Sequence, residues 1–524
     1  MADYVIVGSG INSLVAASLL ALKGKKVLVL ERSDRTGGCM RTEEATLPGF
    51  SHDVMATTFV LFLLSPAYAA LGPELEKRGL QFAHPEIPTG VLRPDGSSLV
   101  LTRDHAANIA AFEKLAAGDG MQFDADISRL GANAPFLFAL LGGRLWSWVM
   151  AKTVAREAWK RGPRALSAFF GEALGSARNW LEPHYKSELF HALMAPWVLH
   201  TGLGPESTYS GQMAKVIAFA LEAAGAPIVK GGAINAVKAF EHLIRDHGGE
   251  LRTNADVSEV ILDESGRATG VTLASGEKIP AWQGVICSMT PNQLYGRLLK
   301  NHPAVENMRG EAKSFVHGKG NMQIHYALKS ASKWKTADLS KVALLHITSG
   351  LDAVSKAVNE AERGMLPAEP TICVGQPSSF DPTRAPEGKA ILWLQLPEAP
   401  RLLKGDAAGE IKTPKDQQWN EATREAYADR VESILSKHIT GFKSSILKRR
   451  CYSPADLEAM NVNLVGGDPY GGACTIDQFF LWRPLRGGAN HDTPVKRLYH
   501  IGASTHPGPG LGGGSGFLLA NALT

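Results

Sequence analysis

A short glycine-rich loop close to the N-terminus carries residue types that bind phosphate. Gly8 and Gly10 follow an apolar β-branched stretch and precede an apolar helical stretch. Gly8 permits a tight turn, and Gly10 lets the backbone approach a pyrophosphate. The first turn of the helix, at Ile11 and Asn12, presents free N–H groups to the same negative charge. The loop therefore predicts dinucleotide binding.

The elements around the loop strengthen this prediction. The sequence predicts a strand over residues 4–7, a helix over 14–22 and a second strand over 26–30 that ends in Glu31. A carboxylate at that place accepts hydrogen bonds from ribose hydroxyls. Ser13 stands where the motif has its third glycine, and it is small enough to fit. The alternative is an ordinary glycine-rich turn, which the order of strand, loop, helix and acidic residue disfavours.

The segment after the second strand resembles an extended flavoprotein motif. Residues 31–42, ERSDRTGGCMRT, are similar to the motif of the superfamily that includes amine oxidases, protoporphyrinogen oxidase and phytoene desaturases. The resemblance implies that the dinucleotide is FAD. It also implies that Gly37 and Gly38 pass close to the cofactor and that Arg32 and Arg41 are among its ligands. Arginine suits phosphate because its planar donor fork matches the oxygens.

A second glycine-dense segment lies near the C-terminus. Residues 498–516 contain an apolar strand, a Gly-Ala step, a His-Pro-Gly step and a glycine-rich turn, and a helical stretch follows. This order resembles the phytoene desaturase signature. The resemblance implies that Gly502, Gly510, Leu511 and Gly513 lie against the isoalloxazine ring, where backbone N–H groups stabilise the reduced flavin. The alternative, a flexible tail, does not fit a segment that joins an apolar strand to an apolar helix.

Three internal segments extend the resemblance. Residues 466–470 and 477–484 are similar to the branch that contains the pyridine nucleotide-disulfide oxidoreductase domain proteins. Residues 228–299 are expected to form a helix followed by strands, with residues 284–288 returning to the sheet. The family places the backbone at Val257 beside the adenine. Judged from the residues alone, Val257 is a buried β-branched strand residue.

The length of the chain requires more than one domain. A single core rarely grows beyond about 250 to 300 residues, and this chain has 524. The resemblance implies an α/β fold with a Rossmann-like FAD-binding domain of the glutathione reductase/amine oxidase type, formed by residues 1–70, 226–300 and 485–524. Residues 71–225 and 301–484 are expected to form a discontinuous α+β substrate-binding domain with a helical insert.

Composition and charge exclude several functions. The chain has 55 basic and 51 acidic residues, a near balance that lacks the concentrated positive charge needed to bind nucleic acid. Its five scattered cysteines contain no CxxC pair and are expected to be reduced thiols. No basic leader precedes the first strand, and no apolar run reaches the about 18 residues of a membrane span. We therefore expect a cytoplasmic protein that does not bind nucleic acid.

One helical stretch combines apolar, aromatic and basic residues. Residues 136–150, FLFALLGGRLWSWVM, are mostly apolar, and a basic stretch follows them. That stretch contains Lys152, Arg156, Lys160, Arg161 and Arg164. This combination is typical of a helix that lies on an anionic membrane surface. A buried helix with a solvated basic neighbour is the other interpretation, and peripheral membrane contact is a hypothesis.

The sequence singles out no catalytic residue. His52, His184, His191, His200 and His325 are residues of a type that is more often structural than catalytic, and no pair has metal-ligand spacing such as HExxH. No GxSxG nucleophile motif is present. Hydride transfer to flavin N5 needs chiefly a well-positioned substrate. We therefore predict no metal, and the catalytic residues stay unassigned.

The resemblance implies an FAD-dependent oxidoreductase, a phytoene desaturase-like dehydrogenase. The expected reaction removes hydride from an apolar small molecule that is isoprenoid, carotenoid-like or alicyclic, and it forms a C=C bond. Oxygen or a quinone is the expected electron acceptor. The alternatives are a flavin amine oxidase, a flavin-dependent isomerase and a non-catalytic FAD protein that binds a membrane or a partner. The sequence leaves the oligomeric state open.

Overall fold

The structure is a computed structural model that describes residues 1–336 and 339–524. Its strands are, in chain order, β1 (Ala2–Val7), β2 (Val27–Leu30), β3 (Thr42–Glu43), β4 (His52–Asp53), β5 (Phe82–Ala83), β6 (Ile87–Leu92), β7 (Ser98–Leu101), β8 (Ile228–Val229), β9 (Glu250–Arg252), β10 (Val257–Leu262), β11 (Ala268–Leu273), β12 (Lys278–Ser288), β13 (Gly320–Leu328), β14 (Val342–Ile347), β15 (Met365–Leu366), β16 (Ile372–Gly375), β17 (Ala390–Ala399), β18 (Gly405–Asp406), β19 (Ile446–Tyr452) and β20 (Leu498–Ile501).

The helices follow the same chain order. They are α1 (Ile11–Leu22), α2 (Val60–Leu63), α3 (Pro66–Glu76), α4 (His105–Leu115), α5 (Asp119–Gly142), α6 (Trp148–Arg161), α7 (Pro163–Ala173), α8 (Ala177–His184), α9 (Glu188–Met194), α10 (Ser210–Ala224), α11 (Ala233–Asp246), α12 (Glu306–Lys313), α13 (Leu351–Glu362), α14 (Glu421–His438), α15 (Phe442–Ser445), α16 (Pro454–Met460) and α17 (Gly514–Ala522).

The first sheet has the strand order β10-β11-β12-β1-β2-β9, and β20 pairs with β12. Strand β1 runs parallel to β2 and β12, and β20 runs parallel to β12. Tyr4 and Ile6 of β1 join a core with α1, α11 and α17, while Val5 and Val7 join the core on the opposite face. A parallel sheet covered on both faces explains the continuous apolar strand. The predicted α/β, Rossmann-like fold class is confirmed.

Strand β12 differs from its prediction. The sequence predicts separate strands over residues 278–279 and 284–288, whereas one strand runs from Lys278 to Ser288. Its first residues pair antiparallel with β11, and its last residues pair parallel with β1 and β20. The strand therefore belongs to a hairpin at one end and to the parallel sheet at the other. Local sequence pattern does not report this continuity, because it depends on which strands lie alongside.

The second sheet has the order β19-β13-β17-β16-β14-β6-β7. Ile324 and Tyr326 of β13 pack in a core that also contains Val431 of α14. Gln323 and His325 alternate with them along the strand, and all nine residues of β13 are buried. The apolar residues of this strand therefore lie on one face of the sheet and the polar residues on the other, and both faces are buried.

The helical insert, α4 to α10, lies between β7 and β8 in the chain. The apolar stretch 136–150 is divided between two helices, because α5 ends at Gly142 and α6 begins at Trp148. Ser147 caps α6, since its hydroxyl accepts a hydrogen bond from Met150 N–H at 3.2 Å. Across the two ranges that the structure describes, no helix has the length and apolar character needed to cross a membrane.

The two sheets take their strands from interleaved parts of the chain. The first uses residues 2–30, 250–288 and 498–501, and the second uses residues 87–101 and 320–452. The bounds of the two predicted domains stay a prediction.

Candidate dinucleotide site and adjoining cavity

The candidate site lies where the carboxyl ends of four strands meet. Val7 of β1 pairs with Cys287 of β12 and with Leu30 of β2, and Ile501 of β20 pairs with Ser288. The loops after these strands therefore leave the first sheet at one edge. Open α/β sheets bind nucleotides at this edge, where helix N-termini and loop backbones are available.

The N-terminal and C-terminal glycine motifs both pack against the same residue, Ser288. A Cβ on Gly8 would lie 3.0 Å from the carbonyl oxygen of Ser288, and a Cβ on Gly502 would lie 3.2 Å from Ser288 Oγ. Both glycines have positive φ, +92° and +116°, which L side chains rarely adopt. Gly502 N–H also donates to Ser515 Oγ at 2.9 Å. The structure thus brings together two motifs that are separated by most of the chain.

Gly10 faces open space. A Cβ on Gly10 would meet no described heavy atom within 4 Å, and its φ of −66° is ordinary for any residue. Gly38 packs behind it, since a Cβ on Gly38 would lie 3.1 Å from Gly10 Cα. Gly37 N–H donates to Ser9 Oγ at 3.1 Å and holds the second loop against the first. Neither strain nor packing within the chain requires glycine at position 10, so its predicted cofactor role stays a prediction that the open space allows.

Two helix N-termini meet beside this space. Helix α1 begins after Gly10 and α17 begins after Gly513, and neither cap residue makes a side-chain hydrogen bond. The helices pack at their first turns, because Gly516 N–H lies 3.3 Å from Asn12 Oδ1 and a Cβ on Gly516 would lie 1.9 Å from the Asn12 carbonyl oxygen. Ile11 is buried in the same turn. Free N–H groups at two helix ends favour negative charge.

The carboxylate of Glu31 is tied to the first loop. One oxygen accepts hydrogen bonds from Ser9 N–H at 3.1 Å and from the Ser9 hydroxyl at 2.6 Å, and the other accepts one from Ser33 N–H at 2.9 Å. A carboxylate has further lone pairs that a ribose hydroxyl can use. Ala255 N–H donates to the Glu31 carbonyl oxygen at 2.8 Å. Ala255 therefore lies beside Glu31, and two residues later the chain reaches buried Val257, the first residue of β10.

The two predicted arginines have different surroundings. Arg41 forms an ion pair through Nε with Glu43, and Arg35 lies 3.1 Å from the same carboxylate. Arg32 is exposed. Arg41 would therefore have to share or exchange Glu43 to bind phosphate, and the cofactor role of both predicted arginines stays a prediction.

Two buried charged residues bind backbone groups near the C-terminal turn: Arg483 contacts the turn itself, and Asp468 contacts the segment at residues 470–472. Sequence reasoning gave neither a role. The Arg483 guanidinium donates to the carbonyl oxygens of Tyr470 at 2.7 Å and Ala503 at 2.8 Å. The Asp468 carboxylate accepts hydrogen bonds from the N–H groups of Tyr470 and Gly472, each at 2.8 Å. Both residues lie in segments that carried the family resemblance. The family resemblance therefore drew attention to both segments, but it did not reveal that Arg483 and Asp468 bind backbone groups.

The remaining predicted residues of the turn pack against apolar side chains. A Cβ on Gly510 would lie 2.5 Å from Leu61 Cδ1, and Leu511 packs at the edge of the core beneath α1. A Cβ on Gly508 would lie 3.0 Å from the ring of Phe479. The turn therefore contacts α2 on one side and residue 479 on the other.

A buried arginine joins the segment after Arg41 to the second sheet, and sequence reasoning missed it. Arg384 Nη2 lies 2.6 Å from Asp53 Oδ2, and its Nε lies 3.1 Å from Asp381 Oδ2. Asp53 also accepts a hydrogen bond from Ala233 N–H at 2.9 Å. All three charged side chains are buried. No local pattern reveals the pair, because Arg384 and Asp53 are 331 residues apart.

An apolar cavity of about 870 Å³ lies between the helical insert and residues 476–481. None of the described residues that line it carries a charge. Tyr209 and Phe480 line one part, and their rings lie 5.7 Å and 4.9 Å from that of Phe479, centroid to centroid. Phe479 in turn packs on Gly508. One aromatic ring therefore connects the cavity wall to the C-terminal turn.

Three side chains of metal-ligand type lie together beside the second sheet. His346 and Cys373 are cross-strand neighbours, His200 Nε2 lies 2.9 Å from His346 Nε2, and one donor atom from each of the three falls within 4.8 Å of the others. Burial lowers the pKa of His200 to about 4 and holds the pKa of His346 well below its ordinary value. Two neutral imidazoles can hydrogen-bond to each other through their Nε2 atoms without a metal, although buried His346 Nδ1 has no hydrogen-bond partner among the described residues. The expected absence of a metal stays a prediction.

Buried His325 makes stability depend on pH. Burial lowers the pKa of His325 to about 4, against the opposing effects of the Val54 carbonyl, 3.3 Å from Nε2, and of Asp53. An unfolded histidine has a pKa of about 6.5, so the unfolded chain binds more protons between these two values. The stability associated with neutral His325 is therefore fully present above pH about 6.5 and is lost as the pH falls toward about 4.

We expect His325→Gln to reduce this acid sensitivity, because glutamine keeps a donor for the Val54 carbonyl and does not titrate. Between pH about 6.5 and about 4, the slope of the unfolding free energy against pH should fall by about 1.4 kcal/mol per pH unit. Urea unfolding at several pH values measures the slope. Exposed His242→Gln is the matched control and should leave it unchanged. Equal slopes for wild type and His325→Gln would contradict the assignment.

The chain is similar to known oxidoreductases over nearly its whole length. A family profile described as NAD(P)-binding Rossmann-like domain matches residues 6–70. Pyridine nucleotide-disulfide oxidoreductase domain-containing protein 2 of Mus musculus is 28% identical, over 99% of this chain and 93% of that protein. A limonene dehydrogenase polypeptide of Castellaniella defragrans is 24% identical, over 99% and 94%. Phytoene desaturase (neurosporene-forming) of Rhodobacter capsulatus is 25% identical, over 100% and 94%.

The fold is shared with solved structures. Cyclohexylamine oxidase of Brevibacterium oxydans matches with a TM-score of 0.59 at 17% identity, over 100% of this chain and 98% of that one. The resemblance to the phytoene desaturases and to the pyridine nucleotide-disulfide oxidoreductase domain proteins is thus confirmed.

Proposed function

We propose that this chain, a homologue of flavin-dependent oxidoreductases with desaturases among its relatives, binds FAD and oxidises an apolar isoprenoid or alicyclic substrate to an alkene. One observation carries the proposal: an uncharged cavity of about 870 Å³ adjoins the C-terminal glycine turn through Phe479. A cavity without a charged lining residue favours hydrocarbon over a charged substrate, because an unpaired charge is costly to bury.

The residues around the sheet edge fit FAD. A Cβ on Gly10 would meet no described heavy atom within 4 Å, which leaves room for a pyrophosphate to approach the backbone. The first turns of α1 and α17 offer N–H groups to it, apart from that of Gly516, which donates to Asn12 Oδ1. In the proposal, the residues that hold the ADP half are Gly8, Gly10, Ile11, Asn12, Glu31, Arg32, Gly38, Arg41 and Val257. Those that hold the flavin half are Gly502, Gly510, Leu511 and Gly513. Bound FAD would supply the acceptor for the two electrons that leave the substrate as hydride.

The contribution of the chain is to bind and position the substrate. Leucine and aromatic side chains line the cavity and offer an apolar surface to the substrate, while the open mouth keeps one end of the cavity in contact with solvent. Tyr209 does not serve as a base there, because burial raises the pKa of its hydroxyl, which donates a hydrogen bond to the Cys474 carbonyl oxygen. The substrate loses a hydride from one carbon and a proton from its neighbour, and the proton passes to solvent. Oxygen or a quinone would then take the electrons from the reduced cofactor.

An anaerobic reduction experiment tests this function. Mixing the yellow holoprotein with a panel of terpenes and longer isoprenoids should bleach the flavin absorbance for at least one compound. Mass spectrometry should show a product that has lost two hydrogen atoms, and admitting oxygen or a soluble quinone should restore the colour. Amines are added separately under the same anaerobic conditions; bleaching by amines alone, with hydrogen peroxide formed once oxygen is admitted, would instead indicate an amine oxidase. Bleaching by none of these compounds would contradict the proposed reaction.

A further inference from the structure

One face of α6 is exposed and carries both tryptophan and basic residues. This tryptophan face consists of Trp148, Val149, Lys152, Arg156, Trp159 and Lys160. Their spacing places them on one side of the helix, because residues four, eight and eleven positions apart lie above one another. Trp148 is 83% exposed, Val149 75% and Trp159 93%. Large apolar side chains this exposed are unusual, and together they mark an interaction surface.

The charge of this face has one sign. Glu157 is the only acidic residue of α6; it is partly buried and pairs with Arg161 at 2.7 Å. Lys152, Arg156 and Lys160 form no ion pair with any residue that the structure describes. The face therefore offers unpaired positive charge beside tryptophan rings.

The cavity opens next to the tryptophan face. Four residues line the cavity and are also exposed to solvent: Trp146, Trp148, Phe170 and Leu174. Trp146 is held in place, because its indole N–H donates to the Leu481 carbonyl oxygen at 3.3 Å. The mouth of the cavity is therefore surrounded by exposed apolar side chains, while its wall at residues 209 and 480 leads toward the C-terminal turn.

We propose that the tryptophan face docks on the surface of an anionic lipid bilayer and that the cavity mouth then opens toward the lipid. Indole rings favour the headgroup region, and lysine and arginine are attracted to anionic lipid phosphates. A helix lying in the interface plane buries its aromatic side chains without spanning the bilayer. Apolar substrate passes from the lipid into the cavity without crossing water. This passage rests on the proposed function, whereas docking does not.

Charge distinguishes the bilayer from other occupants of this surface. A second copy of the chain that docked through the same face would bring Lys152, Arg156 and Lys160 against themselves, and like charges in contact repel. An anionic bilayer complements all three. The headgroup region of a bilayer is also deep enough to bury the whole exposed side chains of Trp148 and Trp159.

Vesicle co-sedimentation of the full-length holoprotein tests docking. Vesicles of phosphatidylcholine mixed with phosphatidylglycerol should bind the wild type, and vesicles of phosphatidylcholine alone should bind it much less. We expect both Trp148→Ala/Trp159→Ala and Lys152→Gln/Arg156→Gln/Lys160→Gln to lower the partition coefficient by about tenfold or more. Exposed Trp282→Ala and Lys412→Gln/Lys415→Gln/Lys437→Gln are matched controls that should bind as the wild type does. Raised salt should weaken wild-type binding.

The outcomes separate docking from the proposed function. Flavin absorbance of each variant, recorded in parallel, should equal that of the wild type, since the substitutions lie on an exposed surface. A protein that takes up no FAD yet binds anionic vesicles through this face retains the docking proposal and loses the function. Failure of the wild type to bind these vesicles, or equal binding by the tryptophan and control variants, would overturn docking. Docking would also be overturned if sedimentation velocity showed that the wild type is a dimer and that the Trp148→Ala/Trp159→Ala variant is a monomer.

Discussion

We expect Gly10→Val to weaken FAD binding strongly in a protein that still folds. A Cβ at this position meets no described heavy atom within 4 Å, and φ is −66°, so the substitution disturbs little within the chain. The valine methyl groups would occupy the space through which a pyrophosphate approaches the backbone. The affinity for FAD should fall by at least about 100-fold, or about 2.8 kcal/mol. Flavin absorbance after reconstitution and titration calorimetry measure the loss.

Gly131→Val is the matched control for this experiment. Gly131 is exposed in α5, and a Cβ there also meets no described heavy atom within 4 Å. This variant should bind FAD as the wild type does. Circular dichroism and thermal unfolding should show that Gly10→Val keeps its secondary structure. Undiminished FAD uptake by Gly10→Val would place the dinucleotide elsewhere.

Arg384→Met should destabilise the protein strongly, because it leaves Asp53 and Asp381 buried without their cation. Arg384 is fully buried, with Nη2 at 2.6 Å from Asp53 and Nε at 3.1 Å from Asp381. Removing one side of a buried ion pair costs about 3 to 5 kcal/mol, most of it the penalty of the remaining charge. Chemical denaturation should show this loss in the unfolding free energy. Asp53 follows the segment that contains Arg41, so FAD affinity should fall too.

Two further variants test the cause of that loss. Arg178→Met removes a partly exposed arginine whose partners Glu182, Glu206 and Asp352 are exposed, and it should cost less than about 1 kcal/mol. Adding Asp53→Asn and Asp381→Asn to Arg384→Met should recover part of the stability, because no buried carboxylate is left unpaired. A loss in Arg384→Met as small as that of Arg178→Met would contradict the ionic explanation.

The parts of the site that depend on local backbone geometry could be predicted from the sequence. Gly8 and Gly502 are predicted as turn residues, and both adopt positive φ against Ser288. The order of strand, glycine loop and helix at both ends predicts two helix N-termini, which the structure places in contact through Asn12. Local glycine patterns carry this information because a positive φ is a property of the residue's own backbone, whichever distant residue packs against it.

The parts that depend on distant partners could not be predicted. Arg384 and Asp53 read as ordinary polar residues until the fold places them 2.6 Å apart. Arg483 binds backbone carbonyl groups, which leave no trace in the sequence. The apolar stretch 136–150 predicts helix but does not reveal that it turns at Gly143 and forms a cavity with residues 476–481. Tertiary packing decides these features.

Equilibrium binding of FAD, in competition with NAD⁺ and NADP⁺, tests the central claim most directly. The purified chain should take up one FAD per molecule, and neither nicotinamide dinucleotide should displace it at millimolar excess. The reason is that the structure brings the glycine loop at Gly10, which we assign to the pyrophosphate, together with a second glycine turn at residues 502–513, which we assign to the isoalloxazine ring. Stoichiometric binding of NAD⁺ or NADP⁺ that Gly10→Val abolishes, in a chain that takes up no FAD, would contradict the claim.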